Sequence, residues 1–109
     1  MVARGKQAMD LCPRFHRAVE LIGRRWTGAI LRVLERGALR FSEVASAIPG
    51  ISDRLLSERL RQLEKAGLVE RRVEPGSPVR VFYELTERGR ALQAPLDAIA
   101  RWAERWLDR

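Results

Sequence analysis

The chain has 109 residues, 46% of them apolar and 32% charged, and carries a formal net charge of +7. That length holds one domain with one core, its apolar content excludes a disordered tail, and runs such as Gly28-Ala29-Ile30-Leu31 fall far short of the roughly 20 residues that span a bilayer. A single cysteine, Cys12, and a single histidine, His16, exclude an internal disulfide and a cysteine-based zinc site, so neither metal nor cofactor is expected.

Residues 1–11 read as a flexible N-terminal arm. Arg4 and Lys6 have no apolar segment behind them, so this arm is no secretory signal and a cytoplasmic protein is expected. Cys12-Pro13 opens a helix, since proline is tolerated in a first turn where its missing N–H costs nothing. Phe15, Val19, Ile22 and Trp26 then recur at spacings of four, three and four, one helical face. Gly23 breaks this helix before a second, from Trp26 to Arg36, whose apolar side is Ile30, Leu31 and Leu34 and whose C-cap is Gly37.

Leu39-Arg40-Phe41 is a short extended segment. Ser42 caps a third helix, Glu43 to Ile48, with Val44, Ala45 and Ile48 facing inward. Pro49-Gly50 forces a tight turn, Ser52 caps the next helix, and Gly67 ends it. The period then changes. Val69, Arg71 and Val73 alternate with polar neighbours, as do Val79, Val81, Tyr83 and Leu85, around the turn-rich linker Glu74-Pro75-Gly76-Ser77-Pro78. This is the pattern of a β-hairpin. Thr86 caps a last helix, 86–108, that Pro95 should kink.

The order is helix, helix, short strand, helix, tight turn, helix, hairpin. The fold class is therefore mainly α with a small β-hairpin (α+β): a winged helix-turn-helix domain over residues 12–109. In such a unit the second helix lies in the major groove of double-stranded DNA. Along Ser52 to Lys65, Leu55, Leu56, Leu60 and Leu63 fall on the core side. Ser52, Arg54, Ser57, Glu58, Arg61 and Lys65 form the candidate reading face. Arginine there can pair with guanine, glutamate can accept from cytosine, and serine can contact bases or phosphate. Arg59 and Glu64 lie toward the flanks, as phosphate contacts or surface pairs. In the hairpin, Arg71, Arg72 and Arg80 are the candidate wing contacts to phosphate or minor groove. The net charge, supplied by arginine except for Lys6 and Lys65, fits a polyanionic partner.

Leu92, Leu96, Ile99, Ala103 and Trp106, with Trp102 beside them, give the last helix an apolar side too broad for one small core. Burial across a two-fold axis in a homodimer, with Phe15 and Val19 of the first helix, is the expected solution.

Cys12-Pro13 and Glu20-Leu21-Ile22-Gly23-Arg24-Arg25-Trp26-Thr27 resemble the HxlR-type transcriptional regulators. So do Arg40-Phe41-Ser42-Glu43, Pro49-Gly50-Ile51-Ser52, Leu56-Ser57-Glu58-Arg59-Leu60, the run from Leu63 to Arg71, and Tyr83-Glu84-Leu85-Thr86-Glu87-Arg88-Gly89. The match covers residues 12 to about 107, nearly the whole chain. It implies a winged-helix homodimer, joined through its first and last helices, that binds an inverted-repeat operator. It also implies a response to electrophiles or oxidants through the N-terminal cysteine, here Cys12. At a helix start near Arg14, His16 and Arg17, this sulfur is a candidate redox sensor. Two departures stand out. Arg24 occupies a position where glycine is common, and Gly28-Ala29 replace a bulkier pair, leaving space for a small-molecule effector near the dimer seam.

No enzyme is expected. His16 has no orienting acid at a recognisable spacing, and no glycine-rich phosphate loop follows a strand. The competing reading is a winged-helix module that binds protein or RNA without sequence-specific DNA recognition. Stacking aromatics would favour RNA, but the hairpin offers only Phe82 and Tyr83, one of them needed in the core.

Overall fold

Pro13 at the first position starts helix α1 (Pro13–Ile22), in a computed structural model that describes residues 12–108. The expected arm, 1–11, lies outside the described residues. α2 (Thr27–Leu34) follows a turn in which Trp26 takes a left-handed backbone, φ 77°. For a residue with a side chain that conformation costs roughly 1–2 kcal/mol, so Trp26 belongs to the joint and not to the helix. β1 (Leu39–Arg40) leads directly into α3 (Phe41–Ala47). This helix begins two residues before the expected start: Arg40, not Ser42, is its cap residue, and the Arg40 N–H donates to Glu43 Oε1 at 2.7 Å. Glutamate in the third position reaches back to the orphan amide, which frees Ser42 from that task.

α4 (Asp53–Lys65) is capped as expected, with Ser52 Oγ accepting from the Leu55 N–H at 3.1 Å. β2 (Val69–Glu74) and β3 (Arg80–Leu85) form the hairpin, in register Val69 with Leu85 through Glu74 with Arg80. β1 joins the other side of β3, Leu39 opposite Tyr83, so the sheet has three strands in the order β1-β3-β2. The pleat places Tyr83 with Val69 and Leu85 on the core side, while Phe82 shares the opposite face with Arg72.

The last helix is two helices, α5 (Glu87–Arg90) and α6 (Gln93–Trp106), not one kinked rod. Pro95 cannot donate to the Ala91 carbonyl and its ring crowds that oxygen. The chain therefore breaks at Ala91-Leu92, leaving Pro95 in the first turn of α6. Ile30, Leu31, Leu34, Val44, Leu56, Leu60 and Leu63 are almost wholly buried, so the core lies where α2, α3 and α4 meet over the base of the sheet. The terminal helices project from it. The molecule is 65 Å long with a radius of gyration of 17.0 Å, against about 13 Å for a compact domain of this length. No described helix is long and apolar enough to cross a membrane.

The start of α5 is knotted to the end of α4. Thr86 Oγ1 donates to the Gly67 carbonyl at 2.6 Å and accepts from the Gly89 N–H at 3.1 Å. Arg88 donates to the Ala66 carbonyl and Arg90 to that of Leu85. A Cβ on Gly89 would lie 2.1 Å from the Leu68 carbonyl oxygen, whereas one on Gly28, in the first turn of α2, would meet nothing within 4 Å. The two glycines should respond with opposite signs. Gly89→Ala is expected to lose about 1–3 kcal/mol and Gly28→Ala to gain up to about 1 kcal/mol. Thermal unfolding of both variants checks this; equal losses would contradict the packing described.

Candidate nucleic-acid interface

α4 presents its face through a division of labour around its axis. Leu56, Leu60 and Leu63 are buried, and this row fixes the helix roll. At 100° per residue, Arg54, Glu58, Arg61 and Lys65 then lie within about 60° of one another on the opposite side. All four are exposed, and Ser57 beside them is half-buried. Ser52 is exposed at the N-terminus, but its oxygen already accepts from Leu55. Among the described residues no carboxylate lies within ion-pair distance of Arg54, Arg61 or Lys65. Their charges are available to a polyanion.

Arg59 departs from the expected flank position. Its Nε–H donates to the Arg25 carbonyl at 2.9 Å and a terminal nitrogen donates to Gln62 Oε1 at 3.2 Å, with Glu58 at 3.5 Å. The side chain is only 14% exposed. It ties α4 to the α1–α2 turn and has no reach left for phosphate. The sequence held one signal for this: Arg59 lies beyond the polar stripe, on the edge of the leucine row.

The wing arginines also separate. Arg72 donates to Glu84 Oε1 at 3.2 Å and Glu74 Oε2 at 3.0 Å, and its guanidinium sits 5.4 Å from the centre of the Phe82 ring. Glu74 lies two residues along the same strand and Glu84 diagonally across on β3, so the charge of Arg72 is locally neutralised. Arg71 and Arg80 are exposed and have no carboxylate partner among the described residues. Val73 and Val79 near the hairpin tip are exposed as well.

The expected dimer residues fall into two groups. Leu96 is buried and Leu92 half-buried in this chain's own core, which corrects their placement on an uncovered seam. They hold α6 down, helped by an ion pair between Arg32 of α2 and Asp97. Phe15, Val19, Ile99, Trp102 and Trp106 are exposed, Trp102 by 56% and Trp106 by 63%, with Ala103 half-buried between them.

Cys12 is the exposed N-cap residue of α1. Its thiol is held below the ordinary cysteine value, first by the backbone N–H of Phe15, then by that of Arg14, with smaller help from the Arg14 side chain and the Arg17 charge. The space beside Gly28 is open and Ala29 is exposed, so the small pair borders solvent rather than an enclosed ligand cavity.

A helix-turn-helix with a free basic face, followed by a hairpin carrying two unpaired arginines, defines a winged helix-turn-helix DNA-binding protein. Residues 21–109 match the model of the HxlR-like helix-turn-helix family, and the chain belongs to that family. It is 46% identical to the HTH-type transcriptional regulator YvaP of Bacillus subtilis over 91% of this chain and 92% of that protein. To YodB of the same organism, also an HTH-type transcriptional regulator, it is 45% identical over 90% of this chain and 88% of that protein. The reduced form of YodB superposes with a TM-score of 0.84 at 45% identity, covering 90% of this chain and 96% of that one. The oxidised form of the redox regulator HypR superposes at 0.81 and 35% identity, covering 90% and 100%. The protein is a DNA-binding transcriptional regulator.

Arg54→Ala or Arg61→Ala should each remove roughly 1–3 kcal/mol of specific affinity where the residue reads a guanine. Arg80→Ala should weaken binding to every duplex and reduce the slope of log affinity against log salt by about 1, while Arg72→Ala leaves that slope unchanged. Salt titrations of the four variants distinguish these roles. A slope change for Arg72→Ala as large as for Arg80→Ala would refute the division between tied and free arginines.

Proposed function

We propose that the protein binds an inverted-repeat operator as a homodimer, reading each half-site with Arg54, Ser57, Glu58, Arg61 and Lys65 and steadying it with Arg71 and Arg80. The observation that carries this reading is the uncovered apolar stripe of α6, Ile99, Trp102 and Trp106, together with the exposed Phe15 and Val19 of α1, in a chain whose α4 keeps a free basic face. Exposed tryptophans at the end of a projecting helix need a cover, and a second copy supplies the same stripe across a two-fold axis. Two reading helices related by that axis match a palindromic site.

Cys12 would make this binding conditional. Its exposure and lowered pKa leave more thiolate at neutral pH than an ordinary cysteine has. The thiolate supplies the electron pair for a new S–C bond to a quinone-type electrophile, whose ring C=C electron pair moves onto its carbonyl oxygen and takes up a proton. A disulfide with a second thiol forms instead when an oxidant removes two electrons and two protons. YodB has been solved in reduced, diamide-treated and quinone-bound forms, and HypR in reduced and oxidised forms. A thiol-reactive effector for this chain is in keeping with those relatives.

Selection from a random duplex library tests the operator. An enriched inverted repeat, its half-sites about 10–10.5 base pairs apart or a multiple of that, is expected; an unenriched pool would refute sequence-specific dimer binding. Iodoacetamide labelling tests the thiol. Because the pKa is depressed, the thiolate fraction at pH 7 exceeds that of free cysteine, and the rate should level off at a lower pH than it does for the free amino acid. Labelling no faster than free cysteine at pH 7 would remove Cys12 as a sensor.

A further inference from the structure

A dimer reads a palindrome only when each reading helix is held at a set angle to the helices that join the two protomers. α6 is anchored by Leu92, Leu96 and the Arg32–Asp97 pair. α1 is not: it has no buried residue, and only Leu21 and Ile22 at its C-terminal end pack against the core. Its orientation therefore depends on the joint that follows, Gly23 to Trp26. Two contacts from the helix-turn-helix hold that joint. Arg59 of α4 donates to the Arg25 carbonyl at 2.9 Å. The outer edge of the Trp26 indole lies 3.6 Å from where a Cβ would stand on Gly50, in the turn between α3 and α4.

Trp26 is the only residue other than glycine with positive φ among the described residues. A bulky residue stays in that region only where its surroundings hold it there, and Arg59 and the Gly50 turn are such surroundings. Arg59 is committed to this task. Its remaining contacts run to Gln62 and Glu58 on its own helix.

We infer that Arg59 is a positioning residue for DNA recognition: its bond to the Arg25 carbonyl locks the angle between α1 and the reading helix, and so sets the half-site spacing that the dimer accepts. This rests on the dimeric reading proposed above. Adding or removing one base pair between half-sites turns one against the other by about 35°. A locked joint cannot follow that rotation, whereas a loosened one can.

The test compares the wild type with Arg59→Gln, Arg59→Lys and Gln62→Ala, using random-library selection, melting curves, and affinities for operators one base pair longer or shorter at the centre. The wild type should lose about tenfold or more on the altered operators. Arg59→Gln should select the same half-site sequence, since Arg54 and Arg61 are intact, yet lose only about threefold or less on changed spacing. Arg59→Lys keeps a donor for the Arg25 carbonyl and should restore the preference; Gln62→Ala leaves that bond untouched and should behave as wild type. Weakened binding at every spacing with the preference intact would mean a structural role only, and would overturn the inference. Should Arg59→Gln melt below the assay temperature, Trp26→Phe withdraws the ring edge from Gly50 and carries the same expectation, with a preserved preference again overturning it. A wild type that selects no inverted repeat would overturn the dimeric reading and this inference together. One spacing kept by both the wild type and Arg59→Gln would overturn this inference alone.

Discussion

A helix that reads DNA has to give one face wholly to the core and leave the opposite face wholly free, and in this chain Leu56, Leu60 and Leu63 carry that constraint. Their burial fixes the roll of α4 about its own axis. Roll alone does not aim a helix, and each end is held by different chemistry. At the N-terminal side, Ser52 caps the first turn and the Pro49–Gly50 turn abuts Trp26. At the C-terminal side, Thr86, Arg88 and Arg90 bond to carbonyls from Ala66, Gly67 and Leu85, and Gly89 packs against Leu68 with no room for a side chain. The wing leaves from the same knot. Helix and hairpin are therefore aimed by one network of backbone contacts.

That network also links recognition to assembly. The Thr86–Gly89 turn opens directly into α5 and α6, the element whose exposed tryptophans need a partner. At the other end, the Arg59 bond to Arg25 reaches the helix that carries Phe15, Val19 and Cys12. A displacement of either terminal helix would have to break these hydrogen bonds or carry α4 with it. Coupling of this kind is carried by packed side chains and hydrogen bonds in contact, without any enclosed pocket between them.

Much of this was legible from the sequence. The leucine row, the Ser52 cap, the Pro-Gly turn and the period-two runs each specify a local structure through one physical rule, and their order specifies the fold. What escaped depends on contacts between elements distant in sequence. Ser42 looks like a cap until Glu43 is seen reaching back to the Arg40 amide. Trp26 continues the apolar spacing of α1, and only the chain reversal places it in a left-handed joint against Gly50. Leu92 and Leu96 continue the stripe of Ile99 and Trp106, yet the start of α6 packs on the core while the same stripe farther along that helix stays exposed. A periodic pattern shows which residues share a face; it does not show where along its length that face changes partner.

The arginines follow the same logic and change what the net charge means. A charge of +7 suggests a uniformly basic surface, but Arg32, Arg59, Arg72, Arg88 and Arg90 each spend their guanidinium on a carboxylate or a carbonyl of this chain. Their planar forks serve here as internal braces. Arg54, Arg61, Lys65, Arg71 and Arg80 are exposed without such partners among the described residues. Counterion release on binding a duplex follows the charges that meet phosphate, so the salt dependence of this protein should track that smaller set and not its total of basic residues. Composition supplies the sign of the partner's charge. An arginine whose guanidinium an acceptor of its own chain already holds is less free to meet that partner.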